Sequence, residues 1–290
     1  MTKFDESILY CDEDVGDETW MEPGIFQDDY EPANEVAAPS IDPGYLCAEI
    51  RPKMRSILFD WMQQVCQEYA LCRETFHLAT TYVDRYLSSR PEITPTKLQL
   101  VGVTALVLAA KLEEVHQPTV DEFAATCAGC CTICDILTME KDMINALGWT
   151  LRYSSAPAWA ASYLQRSIHD HYLDELVRKE LLNADHYMRL MEIIDYSRLF
   201  VESLQYAPST LAAASLFYVF QCWSEEIEQA IMIKFADVDH CVQWISMIAS
   251  QLPFIGLRPI LGGCRDEPYH LYSRQVYHPM ALQMCLNSCP

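Results

Sequence analysis

Two stretches of this chain are apolar on every side of a helix: VGVTALVLAAK at residues 101–111 and STLAAASLFYVF at residues 209–220. A helix without a polar face needs neighbours all around it, so each stretch asks to be the centre of a bundle. Laid over each other at a shift of about 106 residues, Thr104-Ala105-Leu106 meets Thr210-Leu211-Ala212, which favours a duplicated helical domain over one large bundle.

The surrounding sequence agrees. From Arg51 onward apolar residues recur at helical spacing, with almost no sustained two-residue alternation, so the body reads as all-α. Thr94-Pro95 fits a cap followed by a first-turn proline, and Thr119 to Glu122 fits a capping box behind Pro118. The spacing predicts helices over 51–69, 74–88, 96–113, 119–126 and 134–147, a break at Tyr153 to Pro157, then helices over 157–166, 173–196, 207–223, 224–233 and 239–251. Five helices follow five. At 290 residues and 51% hydrophobic, the chain has enough apolar material to fill both cores.

Charge narrows the function. Twenty basic against 41 acidic residues leave a net charge of −21, a field that repels phosphate backbones and anionic membranes. The most basic spot is the pair Arg178-Lys179, so neither nucleic acid nor membrane is expected as a partner, and a DNA-gripping helical fold is disfavoured. Residues 1–40 hold twelve acids against the single Lys3, which marks residues 1–50 as an acidic, largely disordered segment. The apolar run Val101 to Ala110 is far shorter than the ~20 residues of a membrane span. Thirteen irregularly spaced cysteines and an N-terminus without a basic start and apolar stretch suggest free thiols in a reducing interior, and a soluble protein.

Three features invite a chemical reading. On the first helix Met54, Ile57 and Trp61 form a row that turns polar at Gln64 and Glu68, beside a stripe of Leu58, Met62, Val65, Cys66 and Tyr69. That row either packs under the acidic N-terminal segment or is an exposed patch for a partner, and spacing alone leaves both open. On the fifth helix Glu140 falls on the stripe of Ile133, Ile136, Leu137, Ile144 and Leu147, where a carboxylate needs a hydrogen-bonding partner. Lys111 ends the most apolar helix, where the dipole favours a cation and the long side chain can reach solvent.

The stretches MRSILFDW, ETFHLATTYVDRYLSS, KLQLVGVTALVLAAKLEE and ILTMEKDMINALGW closely resemble the cyclin box of the cell-cycle cyclins. The five residues that mark that box stand in order and at family spacing: Arg55, Asp84, Leu100, Lys111 and Glu140. AAKLEEVHQP, PAWAASYLQ and DVDHCVQW look most like the E type, with the A type second. The resemblance covers roughly residues 51–275 and implies two tandem five-helix cyclin-fold domains, 51–152 and 153–262, with a C-terminal tail over 263–290.

It further implies a regulatory subunit that binds and activates a cyclin-dependent kinase at the G1-to-S transition, with no catalysis and no cofactor of its own. Lys111 and Glu140, with Glu113 and Glu114 beside them, would bind the kinase, while Arg55, Asp84 and Leu100 stabilise the box. Arg55 and Asp84 would pair and hold the first two helices together. Met54, Ile57, Leu58, Trp61, Gln64 and Gln99 would form a groove for Arg-x-Leu motifs of substrates and inhibitors. The family usually has glutamate where this chain has Gln64, so that docking is expected to be weaker or altered. Prolines 23, 32, 39 and 43 interrupt the helix expected before the box, with Trp20 as its remnant. Residence in the nucleus, and also in the cytoplasm, is the family expectation; no basic import cluster is visible, so entry would come through a partner.

Two other readings were weighed. CAGCCTIC places Cys127, Cys130, Cys131 and Cys134 as two abutting C-x-x-C pairs, without the dozen or more intervening residues that let a chain wrap a zinc ion, so a loop with free thiols and no metal is expected. His169, Asp170 and His171 are too closely spaced to share a helix face, and no glycine-rich phosphate loop is present.

Overall fold

The computed structural model describes residues 41–46, 49–169, 184–221 and 225–252. Within them the first domain has five helices: α1 (Pro52–Glu68), α2 (Arg73–Ser89), α3 (Leu98–Glu113), α4 (Val120–Thr126) and α5 (Ile133–Ala146). The second has α6 (Ala156–His169), α7 (Ala184–Ser197), α8 (Pro208–Phe220), α9 (Glu225–Ile231) and α10 (Phe235–Ala249). The described residues contain no β-strand, and the two domains follow one another as expected. Most helix limits fall within a few residues of the sequence expectation; α10 starts earlier, at Phe235, whose ring sits 4.6 Å from that of Phe217 on α8. The acidic residues 1–40, the tail 263–290, Asp170, His171 and the Arg178-Lys179 pair lie outside the described residues.

Both all-apolar helices are central. In α3 every residue from Val101 to Ala110 is buried, and in α8 every residue from Leu211 to Leu216. With the preceding turn, Pro95–Glu113 is long and apolar enough to cross a membrane, but α1, α2, α4 and α5 pack around it, which accounts for its composition. Gly102 lets α1 come close: a Cβ there would lie 2.8 Å from Leu58 Cδ1 and 3.3 Å from Met62 Sδ.

Local chemistry sets the ends. Thr119 and Glu122 form the expected capping box on α4, and Thr132 with Asp135 builds a second one on α5. Thr94-Pro95 starts a short 3-10 turn, Pro95–Lys97, that leads into α3. The α5 C-terminus is closed from outside, where Arg85 donates to the carbonyls of Thr150 at 2.9 Å and Leu147 at 3.0 Å.

The domains meet across a buried polar seam. Arg55 and Asp84, both fully buried, form a bidentate pair at 2.6 and 2.8 Å that joins α1 to α2. The guanidinium also donates to the Arg198 carbonyl at 3.0 Å, and Arg198 returns a contact to Asp84 Oδ2 at 3.1 Å. Ser56 adds a hydrogen bond to the Leu199 carbonyl at 2.7 Å. The pair therefore fastens the second domain as well as the first two helices. A second node lies further along α2, where Asp195 accepts from Arg73 at 2.9 Å and pairs with His77 at 2.8 Å.

Burial would push the Asp84 carboxyl up, but Arg55 and Arg198 outweigh it and hold it below its ordinary value. Burial likewise opposes the charge on Arg55, and Asp84 reverses that, raising its pKa. Ahead of the sequence boundary at 51, the turn Pro43–Tyr45 packs on the second domain's turn Val201–Gln205, and the Tyr45 hydroxyl donates to Asp84 at 2.7 Å.

Candidate functional site

The carboxylate that the α5 stripe left in need of a partner finds it on α3. Lys111 Nζ donates to Glu140 Oε1, with the lysine side chain 37% exposed and the glutamate side chain 11%. The pair bridges the end of α3 and the outer side of α5 and leaves two further ammonium donors available. On α5 the predicted stripe divides. Ile136 and Leu147 enter the core, whereas Ile133 and Leu137 stand 42% and 40% exposed. With half-buried Ile144 they make an apolar strip beside a charged pair, a surface suited to receiving an apolar helix and hydrogen-bonding its backbone.

Glu113 and Glu114 take different places. Glu113 is half-buried on the last turn of α3. Glu114 turns inward and accepts from the Cys72 amide at 2.7 Å and the Thr75 hydroxyl at 2.5 Å, closing the N-terminus of α2. Its carboxylate serves the first domain's own architecture. Leu100 is half-buried against the core at the start of α3.

The second surface lies on α1. Ile57 is 49% exposed, with Met54 and Trp61 half-buried on either side, so this row is an open patch in the described part of the molecule. Leu58 points under it, 6% exposed, against Gly102, and forms the floor. Gln99, half-buried, stands one turn before Gly102 on the same side of α3. Gln64 is exposed and donates to Asp60 Oδ2 at 2.7 Å, so its amide pins a buried carboxylate.

Comparison with known proteins gives the family. The cyclin N-terminal domain matches residues 34–152, and the cyclin C-terminal domain matches residues 158–255. This chain belongs to the cyclin family. Curated relatives include G1/S-specific cyclin-E1 of Danio rerio, 34% identical over 79% of this chain and 55% of that protein. Another is G1/S-specific cyclin-E1 of Gallus gallus, 34% identical over 71% of this chain and 50% of that protein. The chain thus spans about half the length of these relatives.

Among solved structures, a viral cyclin from herpesvirus saimiri shares the fold of this cyclin with a TM-score of 0.57 at 19% identity, covering 70% of this chain and 87% of that one. The CAK complex from Chaetomium thermophilum bound to ATP-gamma-S matches with a TM-score of 0.51 at 15% identity, over 72% of this chain and 67% of that one.

The remaining candidates do not assemble into a site of their own. Cys127 and Cys131 are buried, while Cys130 and Cys134 face outward. Among the described residues no group of three or more His, Cys, Asp or Glu side chains is placed to hold a metal ion. Burial pushes the Cys127 thiol up to about 12, the opposite of an activated cysteine. His169 ends α6 at the edge of the described residues. What sequence reasoning missed in this cyclin is the seam's far side. Tyr45, Asp195 and Arg198 belong to no local motif, and only the buried demand of Arg55, Asp84, Arg73 and His77 hinted that partners must exist.

Proposed function

We propose that this cyclin is the regulatory subunit of a cyclin-dependent kinase and acts at the G1-to-S transition without catalysing anything itself. The observation that carries this reading is the half-exposed Lys111–Glu140 pair beside the exposed Ile133 and Leu137. The kinase C-helix packs on that strip, its backbone meets the charged pair, and the helix is held where its glutamate pairs with the ATP-positioning lysine. Taking a kinase from 1% to 99% active needs about 5.5 kcal/mol of differential binding, within reach of a permanent-type interface with a few well-buried contacts. The G1/S-specific relatives support the place in the cell cycle.

The α1 patch of Met54, Ile57 and Trp61, with Leu58 as floor and Gln99 at its edge, takes Arg-x-Leu motifs of substrates and inhibitors. Because Gln64 supplies an amide and occupies Asp60, the motif arginine is held less firmly than by a glutamate. Nuclear residence follows from entry with a partner, and imaging the tagged chain with and without the kinase tests that.

The central test mixes the full chain with a cyclin-dependent kinase catalytic subunit and follows co-elution and histone phosphorylation. The expected result is a stoichiometric complex and a rise in phosphorylation of about a hundredfold, the ratio implied by that population shift. Separate elution together with an inert kinase at saturating chain would end the proposal.

A further inference from the structure

We propose that the cleft between the two cyclin domains is a binding site for a phosphate group, held by Arg198. A cavity of ≈ 50 Å³ opens at the seam, with walls from α2 (Thr81), the start of α6 (Ser155, Ala156), the segment after α7 (Arg198, Tyr206) and the first turn of α8 (Pro208). At about 10–15 Å³ per ordered water, that is room for three or four waters or one tetrahedral oxyanion. The reading does not depend on the kinase proposal.

The lining of the cleft is poor in acid for so acidic a chain, although Glu74 Oε1 accepts from the wall's Ser155 hydroxyl at 2.8 Å. Forty-one acidic residues give the molecule its net −21, yet none of the residues lining this cavity is aspartate or glutamate. The lining cation is Arg198, 13% exposed, whose Nε donates to Thr80 at 3.3 Å and whose Nη2 meets Asp84 at 3.1 Å. Its Nη1 has no partner among the described residues.

Asp84 cannot neutralise it, because the same carboxylate already carries the bidentate pair with Arg55. Two guanidiniums thus share one carboxylate in a nearly dry seam, and among the described residues one positive charge is left over. A dianionic oxyanion in the cavity supplies the missing countercharge and a bidentate acceptor for a guanidinium. The N-termini of α6 and α8 open onto the same cavity and add their dipoles in the same sense. The walls come from both domains, so an occupant ties them together and binding reads out as stability.

The test uses the full chain purified without phosphate, with orthophosphate as probe and chloride at matched ionic strength as control. Orthophosphate is expected to broaden its own phosphorus resonance in the presence of the chain and to raise Tm saturably, by about 3 °C at ten times Kd. Arg198→Gln is expected to weaken binding about tenfold or more, since a charge-assisted contact is lost. Should that variant fail to fold, Thr81→Glu decides: it leaves the seam's ion pairs intact, places a carboxylate on the cavity wall and is expected to abolish binding.

Free phosphoserine separates the sources. Binding of orthophosphate alone assigns a free anion, and binding of both assigns a phosphorylated side chain. An effect of orthophosphate no larger than that of chloride overturns the proposal, as does undiminished phosphate affinity in the folded variants.

Discussion

Two ion pairs of like chemistry in the first domain differ in how far protein encloses them. Arg55–Asp84 is 0% exposed on both sides and every direction around it is filled by protein, including backbone carbonyls of the second domain. Lys111–Glu140 is 37% and 11% exposed, and one side of it faces outward beside apolar side chains that stand exposed among the described residues. The first pair is committed to architecture; the second is the one we propose to meet another surface. Exposure separates the roles where residue type does not.

The most direct way to break the comparison is at the seam. Asp84→Ala leaves two buried guanidiniums, Arg55 and Arg198, without their shared carboxylate. Breaking a buried pair in this way costs about 3–5 kcal/mol, so Tm should fall by about 10 °C. Arg55→Ala should cost less, because Asp84 keeps Arg198 and the Tyr45 hydroxyl. Equal losses in thermal melts of the two variants would show that Arg198 contributes nothing.

Gly102→Ala probes the ground between the regions. The new methyl group would sit 2.8 Å from Leu58 Cδ1, inside a well-packed core, and overpacking of this kind costs about 1–3 kcal/mol. Because Leu58 floors the α1 patch, Arg-x-Leu peptide affinity should fall along with Tm. A Tm loss with unchanged peptide binding would separate the patch from its floor.

The same contrast explains what could be read in advance. The two central helices, their caps and the five residues marking the first domain are local patterns, because periodicity and short-range spacing carry them. Seam partners are not local. Arg198 meets Asp84 across 114 positions and Asp195 meets Arg73 across 122. A sequence window sees only an unexplained charge at each end. The α5 stripe shows the other limit: periodicity groups Ile133 and Leu137 with Ile136 and Leu147, but which of them face outward depends on where α3 and α4 stop covering the helix.

Acid should loosen the seam. Burial holds His77 below its ordinary 6.5, assisted by Arg198 and Arg73 and opposed by Asp195. The folded chain therefore binds fewer protons than the unfolded one below pH 6.5. The stability from neutral His77 is present above that value and is lost as pH falls through the folded pKa, at no more than about 1.4 kcal/mol per pH unit. Glu192 runs the other way: burial lifts it to about 6 from 4.5, so its contribution is present below 4.5 and lost as pH rises through 6. Comparing wild type with His77→Gln isolates the histidine. The wild type should lose Tm relative to the variant on going from pH 7 to pH 5, and parallel curves would remove His77 from the account.

The smallest expected change in stability belongs to the most consequential pair. In Lys111→Ala/Glu140→Ala both charges leave together, so no buried carboxylate is stranded, and losing both partners of a partly buried pair at once costs about 1 kcal/mol or less. Thermal melts should therefore nearly superimpose on wild type. On the proposed docking of a kinase helix at this strip, kinase stimulation should fall at least tenfold, since two hydrogen-bonding groups are removed from it. Glu140→Ala alone should melt like the double variant, and Lys111→Ala alone slightly lower, because it leaves the mostly buried Glu140 without its partner. Full kinase activity in the double variant would remove the docking role from this pair. A large Tm loss would move it into the class of the seam, erasing the distinction between the two regions.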